Sequence, residues 1–175
     1  EKGMNTVYAG TCGRLFDAVS SMIGLCDKST YDGEAAIRLS ELANLNLPVN
    51  AYSYEIQEHE QKLLFNFSKM LLQIVDDLAR EKDVIEISTA FHETIVQALV
   101  DGMNRLHHNF PQYNKKIVLS GGSFHNRYLK ERLIDCLSVA GFEVFTHQRI
   151  PCNDGGLSYG QLMVAAAKRE DTTCV

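Results

Sequence analysis

The residues best suited to chemistry lie in a run at positions 117–126, where an apolar segment is followed by paired glycines and a polar turn. The apolar residues 117–119 predict a short buried strand. Gly121 and Gly122 let backbone N–H groups approach a ligand closely, and Asn126 opens a predicted helix whose N-terminus favours an anion. The arrangement suits a nucleotide phosphate or ribose, although a Gly-Gly turn before a helix is also common as a plain connection.

A second glycine-rich loop, residues 149–156, carries one carboxylate, Asp154, just before the last predicted helix. An aspartate in this position can act as an N-cap that accepts hydrogen bonds from backbone N–H groups. It can also be a metal ligand, since carboxylates are common donors to hard cations. The residues alone leave both interpretations open.

Two more carboxylates lie early in predicted helices. Asp17 follows Gly13 in the first of them, and Glu34 follows Gly33 at the start of the second. A carboxylate near a helix N-terminus stabilises the helix dipole. Asp17 can alternatively face a ligand cleft and accept a hydrogen bond from a hydroxyl group.

Hydrophobic periodicity predicts the elements that must position these residues. Ser68 is predicted to cap a helix that runs through Leu78, and His92 is interpreted as a hydrogen-bonded packing residue on a long helix. The other predicted helices span residues 13–24, 33–45, 83–108, 126–140 and 155–168, and the other strands 51–56, 62–67 and 142–146.

These elements predict an α/β fold, a mixed sheet with flanking helices, because helices and a hairpin precede two strand–helix units. The turn at residues 58–61 is predicted to be polar, with a solvated His59. The tail after Lys168 is predicted to fray.

Composition limits the possible function classes. The 175 residues are 45% hydrophobic, enough for one substantial core. The net charge of −5 and the lack of a basic run argue against a nucleic-acid partner. No apolar run has membrane-spanning length and no secretory signal opens the chain, so no membrane association is expected.

The cysteines and the first residue add two expectations. Five cysteines without a C-x-x-C pair argue against a zinc site or a disulfide framework and favour a cytoplasmic location. The chain begins with Glu1 rather than methionine, so a piece of a longer protein is expected.

Three blocks of the sequence resemble the C-terminal region of the HypF family, the carbamoyltransferases of nickel–iron hydrogenase maturation. The first two blocks span residues 13–19 and 31–36. The third joins residues 120–126 to residues 151–161, where Asn-Asp-Gly-Gly followed by Gly-Gln is the most specific part. The same region is similar, more distantly, to tRNA threonylcarbamoyladenosine synthases and to antibiotic O-carbamoyltransferases.

This resemblance implies one lobe of an actin/sugar kinase/Hsp70-like (ASKHA) ATPase domain, with residues 1–175 as its second, C-terminal lobe. HypF-like enzymes use carbamoyl phosphate and ATP to form carbamoyl-adenylate. They then pass the carbamoyl group to the C-terminal cysteine of a partner, HypE. Dehydration there gives a thiocyanate, the source of the cyanide ligands of the hydrogenase iron.

The resemblance also implies roles for individual residues. Gly121, Gly122 and Asn126 match the family's strand–turn–helix that holds adenosine and phosphate. Gly13 and Asp17 match first-helix positions, where the family places a carboxylate against the ribose.

Gly33, with Glu34 beside it, matches the segment that closes over the nucleoside. Asp154 matches an aspartate that completes a divalent metal site with an H-x-x-x-H pair from the other lobe. No such pair occurs among the histidines of this chain, so the pair is expected in the first lobe.

No catalytic side chain is expected here, because the nucleophile is the partner's thiolate. The histidines are His59, His92, His107, His108, His125 and His147.

Two alternatives stay open. The lobe could be non-catalytic, binding nucleotide or a partner, with Asp154 only a cap and Asp17 only a dipole partner. It could instead serve another acceptor, a tRNA adenosine or an antibiotic hydroxyl, although the negative net charge speaks against tRNA. The chain alone is expected to bind nucleotide weakly and to transfer no carbamoyl group, since half of its cleft is missing.

Overall fold

The computed structural model describes residues 10–59 and 62–172. A 3₁₀ turn precedes each of the last two helices, at Gly122–His125 and Asp154–Gly156. Within the described ranges the helices are α1 (Cys12–Met22), α2 (Glu34–Leu42), α3 (Ser68–Ala79), α4 (Val84–Asn109), α5 (Arg127–Val139) and α6 (Leu157–Thr172), and the strands are β1 (Glu55–His59), β2 (Lys62–Asn66), β3 (Lys116–Leu119) and β4 (Glu143–Thr146).

The strands lie in two small sheets within the described part of the chain. Strands β1 and β2 form an antiparallel hairpin, and β3 and β4 form a parallel pair joined through α5. Parallel strands need such a crossover, and the register pairs Ile117 with Val144 and Leu119 with Thr146. The predicted mixed α/β class with flanking helices is therefore confirmed, with its strands divided between two sheets.

Helix α4 lies at the centre of the core because it is buried on every face. Every residue from Ile87 to Val96 is buried. Helices α2, α3 and α5 pack against it, and the Phe16 ring of α1 meets the Phe91 ring edge to face at 4.8 Å. Full burial of a side chain such as Phe91 stabilises the fold by roughly 1.5–3 kcal/mol. The carboxylate of Asp83 caps the helix by accepting from the Ile85 N–H at 2.7 Å.

Hydroxyl groups of α4 bind the chain that connects α2 to β1. The Thr89 hydroxyl accepts from the Asn44 N–H at 3.0 Å, and the Thr94 hydroxyl accepts from the Tyr52 N–H at 2.8 Å. Segment 43–54, which has no helix or strand, thereby satisfies backbone donors that its own conformation leaves unpaired.

The predicted long helix and the glycine helix ends are confirmed. Gly24 and Gly141 follow helices α1 and α5 with φ of +72° and +84°, the left-handed conformation that glycine adopts without strain. The prediction that Ser68 caps α3 is wrong, because the helix begins at Ser68 itself. The Asn66 carboxamide oxygen accepts from the Ser68 N–H at 3.0 Å instead.

Three predicted boundaries differ from the structure. Strand β1 begins at Glu55 rather than at residue 51, and His59 belongs to it rather than to the polar turn. The rest of that turn, residues 60–61, lies outside the described residues. Helix α6 continues to Thr172 where fraying after Lys168 was predicted.

Helix α6 carries apolar side chains that no described element covers. Leu157, Leu162 and Val164 are each more than half exposed, as is Val118 on strand β3. Such a face is typical of a surface that another part of a protein covers.

The cysteines within the described ranges, Cys12, Cys26, Cys136 and Cys152, are free thiols. Cys174 lies outside those ranges. Among the described residues, no helix combines the length and the hydropathy that a membrane span needs.

Candidate functional site

The glycine turn after β3 is held by the loop that precedes α6. The Gly121 N–H donates to the Cys152 carbonyl oxygen at 2.7 Å, and Gly121 has a φ of +110° that favours glycine. The chain then makes the 3₁₀ turn, in which the Phe124 N–H donates to the Gly121 carbonyl at 3.1 Å. The strand, glycine turn and helix predicted from the sequence are confirmed. The prediction that the strand is buried is wrong, because Val118 is 66% exposed.

Asn126 occupies the N-cap of α5 and connects this helix to the core. Its carboxamide oxygen accepts from the Leu129 N–H at 3.1 Å. Its amide nitrogen lies 2.8 Å from His92 Nε2 on helix α4. Asn126 is half-buried. Its amide group therefore contacts the core through His92 and is also partly accessible from the surface.

A cleft of about 1000 Å³ opens at this surface between α1, the C-terminal end of α2 and the start of α5. It brings together Gly13, Gly122 and Asn126, three of the residues predicted to bind nucleotide. A methyl group on Gly13 would meet no atom within 4 Å, so its backbone is open to a ligand. The side chains around them include Phe16, Ser40, Glu41, Asn44, Ser123, His125, Arg127, Tyr128 and Glu131.

Two helix N-termini meet at the cleft, and their potential favours an anion. Gly13 lies in the first turn of α1, and Arg127 is the first residue of α5. Neither first turn contains an acidic residue that would offset the positive end of the helix dipole. Orphan N–H groups at such ends bind phosphate and carboxylate groups, so the cleft suits an anionic ligand.

The remaining predicted nucleotide residues lie outside this cleft. Asp17 pairs with Arg14 at 2.7 Å on the same helix, with its side chain 26% exposed. Gly33 is the N-cap of α2, with a φ of +78°. Gly121 lines a second cleft instead.

Glu34, beside Gly33, is fully engaged within its own loop. Its carboxylate accepts from the Thr30 hydroxyl at 2.9 Å and from the Thr30 N–H, and it pairs with Arg38 at 2.6 Å. These hydrogen bonds from Thr30 lower the pKa of Glu34 below its usual range. The carboxylate therefore stabilises the turn before α2.

Asp154 lies in the second cleft, of about 800 Å³, between the end of β4 and α6. The prediction that Asp154 could be the N-cap is wrong, because the Asn153 carboxamide oxygen accepts from the Gly155 N–H at 3.1 Å. In the same cleft, Nε2 of His147 is hydrogen-bonded to the Ser120 hydroxyl at 2.9 Å.

The described residues do not form a metal site by themselves. Within residues 10–59 and 62–172, no group of three His, Cys, Asp or Glu side chains is placed to hold an ion. Asp154 supplies one carboxylate, and a divalent cation requires several donors.

We expect Gly156→Ala to destabilise the chain by roughly 1–3 kcal/mol, because the added Cβ would lie 2.5 Å from the Pro151 carbonyl oxygen. That oxygen belongs to the backbone of the same loop and cannot rotate away. Chemical denaturation would measure the change. Gly160→Ala is the control, since its Cβ meets nothing within 4 Å and alanine favours the helix by up to about 1 kcal/mol. Equal effects of the two substitutions would contradict the packing argument.

His92 lies beside this site, although the sequence indicates no binding role for it. It was expected to be a hydrogen-bonded packing residue, and it is fully buried and hydrogen-bonded. Burial lowers its pKa to about 4, so the ring is neutral at pH 7. Nothing in the sequence reveals its partner, because Asn126 follows far along the chain on another helix.

The chain matches one family model and has named relatives. The model, described as "Carbamoyltransferase, Kae1-like Domain, second subdomain", matches residues 1–161. The carbamoyltransferase HypF of Rhodobacter capsulatus is 34% identical over 170 residues, covering 97% of this chain and 21% of that protein. The tRNA N6-adenosine threonylcarbamoyltransferase of Thermotoga neapolitana is 30% identical over 162 residues, covering 91% of this chain and 47% of that protein.

The fold is similar to that of a solved structure. A crystal structure of full-length HypF, in its phosphate- and nucleotide-bound form, superposes on 93% of this chain with a TM-score of 0.84 and 39% identity, and this chain covers 21% of it. The chain thus spans about a fifth of the HypF proteins it matches. The predicted ASKHA-like lobe and the resemblance to HypF are both confirmed, and the chain belongs to the family of carbamoyltransferase Kae1-like domains, second subdomain, of the HypF type.

Proposed function

We propose that this chain is the nucleotide-binding lobe of a HypF-type carbamoyltransferase that acts in hydrogenase maturation. The whole enzyme uses ATP and carbamoyl phosphate to form carbamoyl-adenylate and transfers the carbamoyl group to the C-terminal cysteine of HypE. The product is then dehydrated to the thiocyanate that supplies the cyanide ligands of the hydrogenase iron.

The cleft at the start of α5 is the observation that carries this proposal. It combines backbone groups at Gly13 and Gly122 with the amide of Asn126 and two helix N-termini that favour an anion. Backbone N–H groups can bind the phosphate of a nucleotide, and a polar side chain can bind its base or sugar. The cleft offers both kinds of group. The crystal structure with 39% identity is a nucleotide-bound form, which supports the same assignment.

The chemistry requires no nucleophile from this lobe. In carbamoyl-adenylate the carbamoyl carbon is joined to a phosphate oxygen in a mixed anhydride. The partner's thiolate attacks that carbon, the C–S bond forms, the C–O bond breaks, and AMP leaves with the electron pair. Negative charge develops on the carbonyl and phosphate oxygens, where backbone N–H groups at a helix start stabilise it.

In the whole enzyme a second lobe packs against this one. The apolar side chains exposed on α6 and β3 are of the kind that domain interfaces bury. That second lobe supplies the remaining ligands of the divalent metal to which Asp154 contributes. A chain without that lobe binds nucleotide weakly and transfers no carbamoyl group.

Thermal unfolding with ATP, AMP and GTP tests the nucleotide site. A ligand at a hundred times its dissociation constant adds roughly 2.7 kcal/mol to stability, which shifts the Tm of a domain of this size by about 5–10 °C. We expect adenine nucleotides to raise the Tm of the 175-residue chain and Asn126→Ala to abolish that rise.

A control variant separates the loss of nucleotide binding from the loss of the helix cap. Asn126→Ala removes the N-cap of α5 as well, which costs about 1 kcal/mol whether or not a ligand binds. Asn126→Ser keeps a capping oxygen without the amide, so each variant is compared with its own ligand-free Tm. A rise that survives in Asn126→Ala would remove this residue from the site, and no rise with any nucleotide would remove the site from this lobe.

A further inference from the structure

His92 lies directly behind the wall of the cleft. Its ring is fully buried and meets three residues that line the cleft. The Phe16 and Tyr128 rings lie 5.3 and 5.5 Å from it, centroid to centroid, and the Asn126 amide nitrogen lies 2.8 Å from Nε2. A buried imidazole on the central helix thus supports the ligand-facing surface.

The surroundings of His92 decide which ring nitrogen carries the proton. Nδ1 lies 2.7 Å from the Ser88 carbonyl oxygen, which can only accept, so Nδ1 carries the hydrogen. The Ser88 hydroxyl, 3.5 Å away, already donates to the Leu39 carbonyl at 2.8 Å and can only accept from the ring. In the neutral ring Nε2 is then a bare acceptor.

This tautomer fixes the Asn126 amide at both ends. The bare Nε2 of His92 requires the amide NH₂ of Asn126, and the Leu129 N–H requires the amide oxygen. A flipped amide would place a lone pair against a lone pair at one end and a donor against a donor at the other. One N–H and one oxygen lone pair of Asn126 stay available, the pair that an asparagine uses on the N7 and N6 edge of adenine.

We propose that His92 is the positioning residue that holds the Asn126 amide in one orientation and thereby makes this cleft select adenine over guanine. In this orientation the amide matches the N7 acceptor and the N6 amino group of adenine, whereas guanine presents acceptors at both positions and would set O6 against the amide oxygen. A flipped amide would match neither base at both positions. The inference rests on the proposed nucleotide site, but the His92–Asn126 contact can be tested without any nucleotide.

The first test is a nitrogen-15 NMR spectrum of the wild-type chain. We expect His92 to carry its proton on Nδ1 at pH 7, and one side-chain N–H of Asn126 to exchange slowly with water. This measurement needs no substitution, so a variant that fails to fold cannot obscure it. A proton on Nε2 would overturn the proposal.

The second test compares ATP and GTP affinities by calorimetry. Phenylalanine keeps the ring of His92 and removes the acceptor, and we expect His92→Phe to lower the ATP-to-GTP affinity ratio by about tenfold. Glutamine can donate to Ser88 and accept from Asn126, so His92→Gln should keep the ratio within about threefold of the wild type. His108→Phe, at the far end of α4, is the control.

The outcomes separate this proposal from the one on which it rests. An unchanged ratio in His92→Phe would overturn the positioning role while leaving the nucleotide site intact. If the wild-type chain binds neither nucleotide, the proposed function fails for this lobe. The Asn126 exchange rate then still decides, since fast exchange in His92→Phe supports the contact and slow exchange excludes it.

Discussion

Replacing Arg132 with leucine is expected to lower the free energy of unfolding by about 3–5 kcal/mol, the largest effect of any single substitution considered for this chain. Its guanidinium group binds Glu93 through two hydrogen bonds of 2.8 and 3.1 Å, joining α5 to α4. The Glu93 side chain is only 8% exposed. Without Arg132 it would keep a buried charge with only the neutral donors Tyr128 and Gln97.

The pKa of Glu93 reflects this balance. Burial alone would raise it, but the hydrogen bonds from Arg132, Gln97 and Tyr128 hold it below its usual range. Urea denaturation of the variants at pH 7 measures the change in stability.

Helix α5 provides a matched control for this prediction. Arg127 also pairs with a glutamate, Glu131, at 2.7 Å, but its side chain is 80% exposed. Arg127→Leu should change stability by less than about 1 kcal/mol. In the Arg132→Leu background, Glu93→Gln should recover part of the loss, because it removes the unpaired charge. Similar losses in the two arginine variants would exclude the burial argument.

The second prediction concerns pH and the buried His92. Its pKa is about 4 in the folded chain and about 6.5 in an unfolded one. Between these values the unfolded chain binds a proton that the folded chain does not, so stability falls as the pH falls. We expect a loss of about 2 kcal/mol between pH 7 and pH 5, approaching about 3 kcal/mol below pH 4.

Groups close to His92 contribute little to the loss of stability between pH 7 and pH 5. The Tyr128 hydroxyl has its pKa raised to about 12, mainly by burial. The Glu93 pKa is lowered, so its stabilising contribution is present above the pKa of an ordinary carboxyl and is lost as the pH falls below that value. Denaturation at a series of pH values would show a flatter profile for His92→Gln than for the wild type. Parallel profiles would mean that another group causes the loss.

Much of the fold could be predicted because hydrophobic spacing is a local property. The period of α4, the strand before Gly121 and the positive-φ glycine after α5 depend on neighbours within a few residues. The incorrect predictions concern helix starts, where a different side chain from the predicted one accepts the backbone N–H. Asn153 rather than Asp154 caps the last turn, and Asn66 receives the N–H at the start of α3.

The site was predicted in part for the same reason. Glycines beside a strand and an asparagine before a helix are visible in the sequence, and Gly13, Gly122 and Asn126 do line one cleft. The tautomer of His92 depends on the Ser88 carbonyl within the packed core. The contact of His92 with Asn126, in contrast, joins residues 34 positions apart, so no periodicity encodes it and it could only be found in three dimensions.

The hydroxyl groups of α4 also decide where segment 43–54 can accept inserted residues. A surface connection without helix or strand ordinarily accepts inserted residues, since a longer loop costs little additional entropy. Here the N–H groups of Asn44 and Tyr52 are bound to Thr89 and Thr94, whose separation a rigid helix sets. The chain between these two residues can bulge around an inserted residue while both N–H groups stay bound, so insertions should be tolerated between Asn44 and Tyr52 but not at either of them.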